Sequence, residues 1–162
     1  MVGYRPQLAR SGRGFVTGLF LPRGNAADSL HLVTMVREQI ANTGMIPSMA
    51  SADDGYSSGA RAQRVLGLGL KVVSISGAKG KNIIEPQQWK SQPYRQARAE
   101  RSAMESLVFT LKEGFEFGQM VRRTHDNVLA EMLEKVLAYN ICQIIRARKK
   151  LSERQETERA AA

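Results

Sequence analysis

Near the C-terminal end, Val128, Leu129, Met132, Leu133, Val136, Leu137, Ile141, Ile144 and Ile145 recur at steps of three and four residues. Such steps bring side chains to one side of a helix, and an apolar stripe of that length has to be covered by something. The spacing predicts a long amphipathic helix starting near residue 126. The fold needs a surface to pack against it, within the chain or from another one. After Lys150 the sequence turns polar, and residues 151–162 read as a frayed, disordered tail.

Upstream, the periodicity changes. Residues 2–8 alternate apolar and polar, residues 15–21 are mostly apolar after Ser11-Gly12-Arg13-Gly14, and together they predict a hairpin. Gly24-Asn25 breaks this pattern, Asp28 or Ser29 can cap the next element, and Leu30, Val33, Met35, Val36 and Ile40 mark it as a helix ending at Asn42-Thr43-Gly44. A buried strand is expected over residues 45–52, a helix over 58–66 and another strand over 70–75. Residues 77–97, rich in Gly, Lys, Pro and Gln around the lone Trp89, show little periodicity and read as a loop. A helix over 97–113 and an interruption at 114–119 lead into the long helix. The order implies an α/β fold with a mixed sheet, flanking helices and a C-terminal amphipathic helix.

With 162 residues, 43% of them hydrophobic, the chain is long enough for one globular domain. No apolar run reaches the length of a membrane span, and no apolar stretch comes after the basic start, so the expected location is the cytoplasm. The lone Cys142, set among isoleucines, excludes an internal disulfide and a cysteine-rich zinc site. Twenty-four Lys and Arg against 15 Asp and Glu leave a net charge of +9, which favours a polyanionic partner. Arg5, Arg10, Arg13 and Arg23 open the chain without an acid, and Arg146, Arg148, Lys149 and Lys150 cluster near its end.

Asp53 falls at the end of a predicted buried strand, where α/β sheets place ligand-binding groups, and Glu105 falls within a helix able to pack toward that edge. Two carboxylates can share a divalent ion, although each acid taken alone is an ordinary surface group or cap. Arg101, Glu105 and Lys112 lie four and seven residues apart, on one helix face. They form either a solvated ion pair with an incidental lysine or a metal-binding acid flanked by phosphate-gripping cations. Gly77-Ala78-Lys79-Gly80-Lys81 departs from a phosphate-binding loop, because Asn82 stands where Ser or Thr is needed. His31 and His125 have no His or Cys partner at metal-ligand spacing and read as surface or helix-end residues.

Asp53-Asp54-Gly55-Tyr56 resembles the Asp-x-Gly-Tyr segment that holds the second catalytic Asp of insertion-sequence DDE transposases, with Asp53 at the matching position. Arg101, Glu105 and Lys112 resemble the end of that family's Tyr-Arg-Glu-Lys signature, with Arg98 where the Tyr belongs. Gly3-Tyr4-Arg5, the segment from Gly24 to Asp28, and Val136-Leu137-Ala138-Tyr139-Asn140 are also similar to flanking segments, so the resemblance covers residues 2–146.

The resemblance implies an incomplete ribonuclease H-like fold over residues 1–150. It also implies magnesium or manganese held by Asp53 and Glu105, transposon-end DNA bound through Arg101 and Lys112, and a homo-oligomer acting near the nucleoid. The family's first Asp lies on a central strand ahead of the hairpin, where this sequence begins. The expectation is therefore a fragment or truncated reading frame without strand-transfer activity of its own. Asp28 matches a different segment and reads as a helix cap. Alternatives are a ribonuclease H-like nuclease and a non-catalytic basic DNA-binding remnant.

Overall fold

The computed structural model describes residues 4–24 and 27–160. Val2, Gly3, Asn25, Ala26 and the last two alanines, on which parts of the expected strand, flanking segments and tail fall, lie outside the described residues. The chain divides into two compact units, residues 1–107 and 108–162.

In the first unit, β1 (Gln7–Arg10) and β2 (Val16–Phe20) form the expected hairpin, antiparallel with Leu8 opposite Leu19 and Ala9 opposite Gly18. A β-carbon at Gly18 would sit 3.3 Å from the Ala9 β-carbon and 3.4 Å from Met35 Cε, so glycine lets helix and hairpin approach closely. A 3-10 turn (Asp28–His31) leads into α1 (Leu32–Thr43). Gly44 ends α1 at φ 67°, donating its N–H to Ile40 O, as the Asn-Thr-Gly stop predicts.

The chain then forms β3 (Met49–Ala52), a 3-10 turn (Asp54–Tyr56), α2 (Gly59–Leu66) and β4 (Val72–Ile75). β3 and β4 pair in parallel, Met49 with Val72 through Ala52 with Ile75, with α2 as the crossover. Leu32 and Val36 of α1 are buried with Ala62 and Val65 of α2 and Val73 and Ile75 of β4. The described residues thus contain two separate two-stranded sheets rather than one mixed sheet, the hairpin packed on α1 and the parallel pair sharing a core with α1 and α2.

The loop expected over 77–97 is instead helical: α3 (Ala78–Ile83), α4 (Pro86–Lys90) and α5 (Gln92–Ala99). Its prolines start helices rather than break them. Pro86 occupies the first turn of α4, Pro93 the first turn of α5, and Ser91 caps α5 by accepting from Tyr94 N–H. Tyr94 is fully buried, and its hydroxyl accepts from Ile75 N–H and donates to Ile75 O, each at 3.0 Å, satisfying the outer edge of β4. Trp89 tilts against Tyr94 at 5.3 Å, and the Arg98 guanidinium lies 4.3 Å from the Trp89 ring centre.

Helix α6 (Arg101–Phe115) runs across the division between the units. In the second unit Leu111, Phe117, Val128, Met132, Val136 and Tyr139 are buried. α7 (His125–Ala160) extends 36 residues, so residues 151–160 continue the helix where the sequence predicts a frayed tail. The connection before α7 closes on Glu131. Its carboxylate accepts from Arg122 N–H at 2.8 Å and from Val121 N–H at 3.1 Å, and pairs with Lys135 Nζ at 3.0 Å. Lys135 also donates to the carbonyls of Glu116 and Gln119.

These contacts generate two expected outcomes. Tyr94→Phe leaves a buried N–H and carbonyl of Ile75 without partners and should lower stability by about 1–3 kcal/mol in chemical denaturation. Glu131 is held down to about 2 by the Arg122 N–H, the Lys135 ammonium and the Val121 N–H, against the opposing effect of burial. Its folded value lies below the ordinary carboxylate value, so its contribution is present above about pH 4.3 and lost as pH falls toward 2. Helicity measured during acid titration should fall in that window, and Glu131→Gln should flatten the dependence.

Candidate functional site

Asp53 directly succeeds β3, at the C-terminal end of the parallel pair, and is exposed. Its extended backbone and short side chain make a local turn in which Oδ1 accepts Gly55 N–H at 2.9 Å. Asp54 faces another way. Its Oδ1 accepts Gly80 N–H at 2.8 Å, capping the start of α3 from 26 residues away in sequence. Gly77 and Gly80 explain their part of the sequence in the same terms. A β-carbon at Gly77 would meet Asp54 Cγ at 2.5 Å, and one at Gly80 would meet Ile75 O at 2.2 Å. These glycines serve close packing of α3 on Asp54 and β4.

Asp28 is not a cap. The 3-10 turn it begins is preceded by Ala27, without a side-chain capping bond, and Asp28 Oδ1 instead accepts Gln7 Nε2 at 3.0 Å. Gln7 is buried at the first position of β1, so this bond ties the start of the hairpin to the turn before α1. A β-carbon at Gly55 would meet Asp28 Oδ2 at 3.0 Å and Asp53 Oδ1 at 3.1 Å, so both carboxylates flank one glycine. Tyr56 lies with them. Burial, then the negative charges of Asp28 and of Asp53, push its phenol well above the usual tyrosine range. Sequence reasoning misses Asp28 as a neighbour of Asp53, because the link through Gln7 spans 21 residues and obeys no local spacing.

Glu105 sits on α6 with its side chain 69% exposed and its Oε1 3.3 Å from Arg101 NH2, the i,i+4 pair that the spacing predicts. Lys112 is exposed on the same helix, in the second unit. Arg98, at the place of the signature's Tyr, is committed to the Trp89 ring. Among the described residues, no three His, Cys, Asp or Glu side chains gather to hold a metal ion. The donor chemistry of Asp53 and Glu105 suits magnesium, which takes carboxylate oxygens and water, but the described residues do not assemble a full ligand shell. His31 lies tilted against Phe20, ring centres 4.9 Å apart, with its Nε2 buried and without a hydrogen-bond partner. No described helix is long and apolar enough to cross a membrane.

Comparisons with family models, with curated proteins and with solved structures give no match.

The Tyr56 environment is open to direct test. Removing a negative charge stabilises the phenolate, so Asp28→Asn and Asp53→Asn should each lower the Tyr56 ionisation, read as an earlier rise in tyrosinate absorbance on alkaline titration. If neither variant moves the curve, the two carboxylates do not face this ring.

Proposed function

We propose that this chain is part of a DNA strand-transferring enzyme of the DDE transposase type, built on a ribonuclease H-like frame. What supports the reading most is the position of Asp53, exposed at the C-terminal end of a parallel strand pair and beginning the Asp-Asp-Gly-Tyr turn. The sheets add support. An antiparallel hairpin packed on α1 and a separate parallel pair that shares a core with α1 suit a mixed α/β frame.

In this reading Asp53 and Glu105 hold magnesium or manganese, which when bound supplies charge stabilisation for phosphodiester displacement. Arg101 and Lys112 hold DNA phosphates, which fix position without reading sequence. The Glu105 carboxylate has to leave Arg101 to reach an ion, and freeing that guanidinium makes it available to a phosphate. The chain is expected to bind DNA through its net charge of +9.

Two measurements test the proposal. Affinity for a short duplex, measured by fluorescence anisotropy, should fall about tenfold or more between roughly 50 and 200 mM salt. Calorimetric titration with manganese should show binding that Asp53→Asn and Glu105→Gln each weaken several-fold. Salt-sensitive DNA binding with manganese binding unchanged in both variants would favour the second reading, a non-catalytic basic DNA-binding protein. The exposed Arg101–Glu105 ion pair favours that alternative.

A further inference from the structure

The positive charge of the chain is concentrated in one stretch. Residues 55–99 contain eight Lys and Arg against a single acid, Glu85, and so hold +7 of the net +9. A solvated surface ordinarily intersperses both signs. Outside this stretch cations meet acids: Arg10 lies 3.9 Å from Glu100, Arg101 3.3 Å from Glu105 and Lys149 3.9 Å from Glu153. Lys79, Lys81, Lys90 and Arg95, all exposed on α3, α4 and α5, enter no ion pair among the described residues.

The folded chain anchors these cations to the parallel strand pair. Arg95 Nε donates to the Lys90 carbonyl at 2.9 Å, which seats this guanidinium at the junction of α4 and α5. Trp89, beside Lys90 and half-buried, has the Arg98 guanidinium 4.3 Å from its ring centre. Helix α5 packs on β3 and β4, burying Tyr94 and Ala97 and leaving Gln92, Arg95 and Gln96 exposed. Helix α3 is tied through Gly80 N–H to Asp54, so Lys79 and Lys81 flank the residue bonded to the turn that Asp53 begins. The result is a surface of cations and amides around one aromatic platform.

We infer that α3, α4 and α5 form a binding surface for single-stranded DNA, in which Lys79, Lys81, Lys90 and Arg95 hold phosphates and an unpaired base stacks on the Arg98 guanidinium that Trp89 supports. Cations supply the affinity, and every base has a face to stack, so the contact is tolerant of sequence. The platform selects an unpaired strand over a duplex, because paired bases are already stacked on their neighbours and offer it no free face. Gln92 and Gln96 act in the same direction. Their amides hydrogen-bond to base edges that pairing would occupy. The inference shares with the function proposed above only the choice of DNA as partner. It names residues other than Arg101 and Lys112, specifies the form of the strand and requires no metal.

Trp89 is the only tryptophan, so its emission reports on the platform in the full chain without a label. Titration with an oligothymidylate of about 12 nucleotides, within the span of one single-strand site, should quench that emission. An abasic strand of the same length, and a duplex, should leave it unchanged. Lys81→Glu combined with Lys90→Glu should lower oligothymidylate affinity about tenfold or more, whereas Arg148→Glu combined with Lys150→Glu, the same change of charge on α7, should cost about twofold at most. All four positions are exposed, and circular dichroism should show helicity unchanged in both double variants. Absence of quenching, quenching by the abasic strand or by the duplex, or equal losses in the two double variants overturns the proposal. Manganese binding that ignores Asp53→Asn and Glu105→Gln counts against the metal-site reading alone and leaves this surface standing.

Discussion

Neither sheet of the first unit can stand alone, because two strands bury too little on either face to hold themselves together in water. The apolar side of α1 resolves this. Met35 meets Gly18 in the hairpin, while Leu32 and Val36 share a core with α2 and the parallel pair. The turns that carry the candidate site depend on this shared helix. Asp28 lies in the turn leading into α1, Asp53 directly follows β3, and Gly55 comes close to both carboxylates. A shift of α1 would disturb the Gln7–Asp28 bond and the Tyr56 environment together.

Much of this arrangement is legible in the sequence where the signal is periodic and local. The hairpin, α1 with its glycine stop, the crossover through α2 and the long last helix emerge from alternation, helical spacing and capping residues. Residues 77–97 are misread as a loop for a definable reason. Pro86 and Pro93 occupy first turns, where proline's missing N–H costs nothing, and short helices there are fixed by Tyr94 and Asp54 rather than by a repeating stripe. The continued helix after Lys150 escapes notice because its polar composition looks the same in a solvated helix and in a frayed tail.

The candidate site is legible in part. The Arg101–Glu105 pair is geometry that i,i+4 spacing dictates, and Asp53 directly follows its strand. Position alone assigns Asp28 to capping, yet its partner is a buried glutamine from another element. Contacts between residues distant in sequence leave no periodic trace. The glycines of the Gly77–Lys81 segment illustrate the reverse case, where a pattern suggesting phosphate chemistry reflects a lack of room for a β-carbon.

Tyr94 has one more effect. By occupying both polar groups of Ile75, its hydroxyl blocks one side of the parallel pair to further main-chain pairing. The opposite side, along β3, carries no strand among the described residues. The parallel pair therefore has a polarity of growth: an added segment extends it through β3 alone. A sheet open on one side can accept one strand but cannot propagate through both edges into a stacked fibre.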